Sequence, residues 1–190
     1  LIDDSGLRKM AARGGKIALP NGLPFKISGD NAANIFFTSQ WENYPKAGRI
    51  ALQGKAKHIY FLMAGTTNPM QSQLVNAMLT ITYQDGTKAA LPLKNPDNWW
   101  PIEQDYEDDG FAFRLSKDKP YRIYLKTGEI KRGGEGEYQE IKGFTKRAID
   151  GGAATVLDLA LNPNKELKSL ELRTIANDVV VGLMGVTLER

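Results

Sequence analysis

Turn-forming residues break this 190-residue chain about every 8–12 positions, and that punctuation excludes most folds. Pro20-Asn21-Gly22, Gly29-Asp30-Asn31, Gln84-Asp85-Gly86-Thr87, Asn162-Pro163-Asn164 and Asn177-Asp178 each separate short runs rich in β-branched and aromatic residues. The runs themselves read as strands: Lys16–Leu19, Pro24–Ser28, Asn34–Ser39, Arg49–Gln53, Lys57–Gly65, Leu74–Tyr83, Lys88–Leu93, Phe111–Leu115, Tyr121–Thr127, Ala153–Leu161, Lys168–Ala176 and Val179–Leu188. Short strands at this spacing, with almost no helical periodicity, predict an all-β, antiparallel jelly-roll β-sandwich.

Within that pattern, Lys57–Tyr106 carries the clearest signals. Lys57–Gly65 puts Ile59, Phe61 and Met63 on one face and His58, Tyr60 and Leu62 on the other. Both faces are largely apolar, so the strand is expected to lie centrally in a sheet. Asp85-Gly86 between two β-like runs predicts a hairpin with a type I′ turn. The following Asn95-Pro96-Asp97-Asn98-Trp99-Trp100-Pro101 holds two prolines, which keeps both tryptophans out of a central strand. Towards the C-terminus the alternation is regular. Thr155, Leu157, Leu159 and Leu161 share one face of their strand, as do Leu170, Leu172, Thr174 and Ala176 of the next.

The length suits one domain with a full hydrophobic core, expected over residues 16–190. Residues 1–15 read as a linker or as a short N-terminal helix, with Asp3-Asp4-Ser5 as a cap, Leu7, Met10 and Ala11 at helical spacing, and Gly14-Gly15 as the stop. Gly128–Gly152, rich in glycine and charge, reads as a mobile hairpin or surface loop. Twenty-five basic residues against 22 acidic ones are scattered along the chain, so no nucleic-acid footprint is expected. No run approaches the length of a membrane-spanning helix. The absence of cysteine excludes a disulfide framework and leaves the compartment open. The chain begins at Leu1 without a signal-peptide pattern, which reads as a mature form or a domain of something longer.

Catalytic signatures are weak. Gly133-Gly134-Glu135-Gly136 has Gln139 where a dinucleotide loop needs its third glycine, and reads as a plain loop. His58 is the only histidine and sits among apolar strand residues, which suits a structural role better than that of a base. Asp105-x-Glu107-x-Asp109-Gly110 imitates the first half of a calcium loop, but the twelfth position is Ser116. Calcium is therefore the one candidate ion, against a solvated acidic loop; no cofactor is implied. A glycosidase would need two carboxylates facing each other across a cleft, which spacing in sequence does not show.

The aromatic loops are the better lead. Trp41 and Tyr44 lie on one, and Trp99, Trp100 and Tyr106 on another. Flat aromatic faces pack on the apolar faces of sugar rings, and nearby amides and carboxylates satisfy the hydroxyls. For glycan binding the candidates are Trp41, Tyr44, Trp99 and Trp100 as stacking surfaces, with Asn68, Gln71 and Glu103 as polar contacts. Against this stands the reading that loop tryptophans plug the sandwich or pack on a neighbouring domain.

Three elements in order, Tyr60-Phe61-Leu62-Met63, Tyr83-Gln84-Asp85-Gly86-Thr87 and Asn98-Trp99-Trp100, with the closing Val179–Glu189 run, resemble the galactose-binding-like β-sandwich domains that accompany bacterial glycoside hydrolases. FFTSQWENYP, MAGTTNPMQS and NPDNWWPIEQDY look like a subfamily attached to larger glycosidase-like proteins. The resemblance covers most of Leu19–Arg190. It implies a non-catalytic accessory domain of a secreted or periplasmic carbohydrate-active protein, with glycan or a catalytic domain of the same polypeptide as partner. Met63 stands where a histidine is common, so the resemblance carries over no binding residue. The alternative is a structural domain that docks a catalytic domain; a hydrolase in its own right ranks third.

Overall fold

A computed structural model describes residues 2–28, 32–65, 72–106, 118–134, 139–141 and 145–190, with the backbone alone for 139–141 and 145–147. The expected strand Phe111–Leu115, the acidic run 107–110, Ser116, and the candidate contacts Asn68 and Gln71 lie outside the described residues.

The protein is all-β, with two antiparallel sheets packed face to face and one short helix among the described residues. One sheet has six strands, in the order β3 (Phe36–Ser39), β14 (Val180–Glu189), β5 (His58–Gly65), β12 (Ala153–Ala160), β8 (Tyr121–Tyr124), β9 (Ile130–Arg132). The other has four, in the order β4 (Ala47–Ala51), β13 (Leu167–Thr174), β6 (Val75–Tyr83), β7 (Lys88–Lys94). Two separate hairpins, β1 (Lys16–Ala18) with β2 (Pro24–Lys26) and β10 (Gln139–Ile141) with β11 (Thr145–Ala148), complete the described strands.

β5 is central, as its two apolar faces require: β14 flanks it on one side and β12 on the other. Ile59, Phe61 and Met63 join Leu79, Ile81, Leu157, Leu170, Leu172 and Val181 in the core between the sheets. Leu62 and Ala64 point the opposite way, into a second core with Leu7, Ile17, Phe25, Ile123 and Ala154. The residues before β3 explain that second core. Helix α1 (Ser5–Ala12) and the β1–β2 hairpin lie on the outer face of the six-stranded sheet. Of the two readings for residues 1–15, the helix is therefore the one present. Leu7 and Ala11 are its buried stripe, Asp3 Oδ1 accepts the Ser5 N–H at 3.0 Å, and Gly6 rests against the backbone of Lys126 and Thr127.

The β6–β7 hairpin falls where Asp85-Gly86 predicts it, but the turn is not type I′. Within it only Gly86 takes a positive φ, 83°. The Gly86 N–H donates to Tyr83 O at 3.0 Å and the Tyr83 N–H to Thr87 O at 2.9 Å. This is a three-residue loop closed by a glycine bulge, which needs one left-handed residue rather than two. Of the hairpin and the surface loop expected over Gly128–Gly152, the described residues hold a hairpin, β10 with β11, while β9 joins β8 at the edge of the six-stranded sheet.

Candidate functional site

The stretch after β7 turns inward. Asn98, Trp99 and Trp100 lie outside any strand, as the prolines require, yet Trp99 is 0% exposed and Trp100 2%. Trp99 belongs to the core between the sheets. Trp100 donates its indole N–H to Pro96 O at 2.8 Å and packs its ring 5.2 Å from that of Tyr106, itself buried. Neither tryptophan presents a free face to a sugar ring. The physical reason is that this segment caps the end of the sandwich: the Ile102 N–H donates to Gly65 O, and Ile102 O accepts the Ala153 N–H, bridging the end of β5 to the start of β12.

Arg122 on β8 holds this cap. Its side chain is wholly buried and donates to the carbonyls of Gln104 (2.8 Å), Pro101 (3.1 Å) and Ala153 (3.1 Å). Its guanidinium lies 5.3 Å from the centre of the Tyr106 ring. Asp105, also buried, accepts the N–H groups of Tyr106 and Gly134, at 2.8 and 2.9 Å. The carboxylate that begins the calcium-like run is thus committed to backbone donors. Among the described residues no group of three metal-ligating side chains is assembled. Burial raises the Tyr106 phenol to about 12 and, more consequentially, the Glu103 carboxyl to about 7, with Arg122 pulling the latter back only in part. Glu103 Oε2 is buried without a hydrogen-bond partner among the described residues.

Trp41 and Tyr44 are placed elsewhere. Trp41 is 44% exposed, donates to Asp178 Oδ1 at 3.3 Å and lies 6.2 Å from the Tyr44 ring. Asp178 precedes β14 and Glu189 closes it, so this aromatic pair sits at the opposite end of that strand from Glu189. The sequence-predicted candidates accordingly do not form one site: two are buried, two lie at one end, and Glu103 does not line the cavity described next.

A concave site lies on the outer face of the six-stranded sheet, beside the β1–β2 turn. A cleft of about 670 Å³ opens there. Its floor is Tyr60 (β5), Val156 and Asp158 (β12) and Tyr121 (β8); Asn21 on the β1–β2 turn forms one wall, and Asp118 and Arg132 another. The Tyr60 hydroxyl donates to Glu189 Oε2 at 3.1 Å, and burial together with that carboxylate raises its pKa. His58 stacks on the Tyr60 ring at 5.6 Å and places Nε2 3.3 Å from Asp158 Oδ2. The Arg132 guanidinium covers the Tyr121 ring at 4.2 Å and donates to Lys119 O at 3.1 Å. The cleft thus sets two aromatic rings, Tyr60 stacked with His58 and Tyr121 with Arg132, beside several polar groups of the kind that bind hydroxyls. A sequence signal for it existed: Asp158 is the one charged residue of β12, and Tyr60 the polar-tipped aromatic at the middle of β5.

Comparison of the chain with family models, with curated proteins and with solved structures finds no match. No helix among the described residues is long and apolar enough to cross a membrane.

Proposed function

We propose that this chain is a jelly-roll, galactose-binding-like accessory domain of a secreted or periplasmic carbohydrate-active protein, and that it binds glycan in the outer cleft rather than on the tryptophan loops. The observation that carries the reading is the pair of tyrosines, Tyr60 and Tyr121, on the floor of an open cleft rimmed by Asn21, Asp118, Arg132 and Asp158. Sugars offer an apolar ring face and a fringe of hydroxyls, the two features such a surface matches. Calorimetric titration with a panel of plant and host oligosaccharides tests it. Saturable binding to one glycan class, lost in Tyr121→Ala and Asp158→Ala proteins that still melt cooperatively, is expected. Binding unaffected by both substitutions, or no binding to any glycan, would overturn it.

A second reading, docking of a catalytic domain, is favoured by the opposite end of the sandwich. Trp41 (44% exposed), Leu74 (57%) and Ile175 (47%) all border strand ends gathered there. Gln40 Nε2 donates to Thr174 O, and Asn76 O accepts the Ile175 N–H. Hydrolysis ranks behind both. The cleft does hold two carboxylates, Asp118 and Asp158, but both are exposed, whereas a general acid for glycoside cleavage is usually shielded.

A further inference from the structure

Among the described residues the two sheets have four edge strands, β3 and β9 in one, β4 and β7 in the other. Three of these edges are guarded. β7 carries Pro92 between Lys88 and Lys94, β9 is three residues long with Lys131 and Arg132, and β3 is four residues long with its Ser39 N–H donated to Pro45 O. β4 has none of these devices. Ala47–Ala51 lacks proline and lysine and pairs with β13 without a bulge, and its one charge, Arg49, is held by Glu171 of the same sheet at 2.9 Å. The Leu52 N–H donates to Lys168 O and the Thr174 N–H to Lys46 O, so the even-numbered residues of β4 bond to β13. The N–H and C=O groups of Ala47, Arg49 and Ala51 therefore point out of the sheet's edge, and among the described residues none of them has a partner. Beyond the strand, Gln53 O is already taken by Arg190.

The apolar side chains along this edge are open as well. Ile50 stands opposite Leu170, on the face turned to the core between the sheets, yet is 43% exposed. Phe36, on β3 of the facing sheet, lies over Gly48, where a Cβ would collide with its ring, and is 40% exposed. Leu52, on the same side of the chain as Gly48 and Ile50, is only partly buried. We propose that a second copy of this chain pairs with the edge, β4 against β4 antiparallel, about a two-fold axis through Ile50. In that register Arg49 of each copy exchanges N–H and C=O bonds with Ala51 of the other, through the groups that point outward. Ile50 meets Ile50 as a close non-hydrogen-bonded pair, and Leu52 of the second copy comes opposite Gly48, where it covers Phe36. Each exposed apolar side chain of the edge is thus answered by another of the same edge, which is what singles out a second copy as the occupant. An axis through Arg49 would instead set two guanidinium groups directly opposite each other. The two four-stranded sheets become one of eight strands, and the cleft, on the other sheet, stays open.

Sedimentation equilibrium of the full chain from micromolar to millimolar concentration tests this, and a reversible monomer–dimer equilibrium is expected. Ala51→Pro removes an outward N–H that β13 does not use, and Ile50→Lys puts a charge at the axis. Each should weaken the dimer by about tenfold or more, while the dilute proteins melt as the parent does. The register is read separately. The chain has no cysteine, so Ile50→Cys introduces one thiol per copy. Oxidised glutathione should join two Ile50→Cys chains within the dimer, and join Arg49→Cys chains far more slowly, because only the first pair stands within disulfide reach. A monomer at every concentration would overturn the second copy as occupant of the edge. A dimer that Ala51→Pro and Ile50→Lys leave intact would overturn the assignment of the contact to β4. Faster joining through Arg49→Cys than through Ile50→Cys would overturn the register.

Discussion

Arg122 Nη1 lies 4.0 Å from Asp105 Oδ1, and neither side chain touches solvent. At that distance the two charges balance without sharing a hydrogen bond; each instead ties the capping segment's surroundings together through backbone groups, Arg122 at Pro101, Gln104 and Ala153 and Asp105 at Tyr106 and Gly134. Removing one partner strands the other in a low-dielectric interior and orphans the carbonyls of Pro101, Gln104 and Ala153. Arg122→Ala is expected to cost about 3–5 kcal/mol in denaturant unfolding. Asp105→Asn should cost less, because an amide oxygen still accepts from Gly134.

Glu103 makes the same region sensitive to pH. Its carboxyl titrates near 4.5 in the unfolded chain and near 7 in the folded protein, chiefly because burial penalises the charged form. Between those values the folded state holds a proton that the unfolded state has lost. Stability should therefore fall as pH rises from about 4.5 to about 7 and level off above. The carboxyl is only partly buried, so the fall is on the order of 1 kcal/mol. Melting curves across that range should show it, and Glu103→Gln should flatten it.

The three tryptophans report on different places. Collisional quenching should reach Trp41 and spare Trp99 and Trp100, so Trp41→Phe removes nearly all quenchable emission. Trp99→Ala opens a cavity in the core between the sheets and should cost about 3–5 kcal/mol. Quenching of two or more tryptophans in the folded protein would contradict the capped arrangement.

Helix α1 depends on the smallness of one residue. A Cβ at Gly6 would fall 2.4 Å from the Lys126 carbonyl oxygen and 2.5 Å from the Thr127 carbonyl carbon, both backbone atoms. Gly6→Ala must push the helix away from the sheet, at an expected cost of about 1–3 kcal/mol despite alanine's better helix propensity. Hydrogen exchange of the Leu7 amide, bonded to Leu125 O at 2.9 Å, should quicken accordingly.

The strands were legible where one residue type repeats on one face: Ile59, Phe61 and Met63, or Leu170 and Leu172, declare both strand and core. Turn position was legible from Asp85-Gly86, but turn conformation was not, since the same dipeptide serves a one-glycine bulge as well as a type I′ turn. The site was mostly illegible. Proline places Trp99 and Trp100 on a loop, but whether a loop passes over a sheet's open end or stands in solvent depends on Arg122, over 20 residues further along the chain. The cleft was hidden for a related reason. Alternation tells that Tyr60 and Asp158 face outward; it does not tell that the β1–β2 turn stands beside them.

β14 is inserted between β3 and β5, pairing with both. A chain made from its N-terminus has both neighbours complete long before Val180 emerges. Until then the apolar β5 has a flank unpaired, and until Ala153–Ala160 is made it has both, so nascent chains should be most prone to chaperone capture and to sticking together in the interval before Val180–Glu189 arrives.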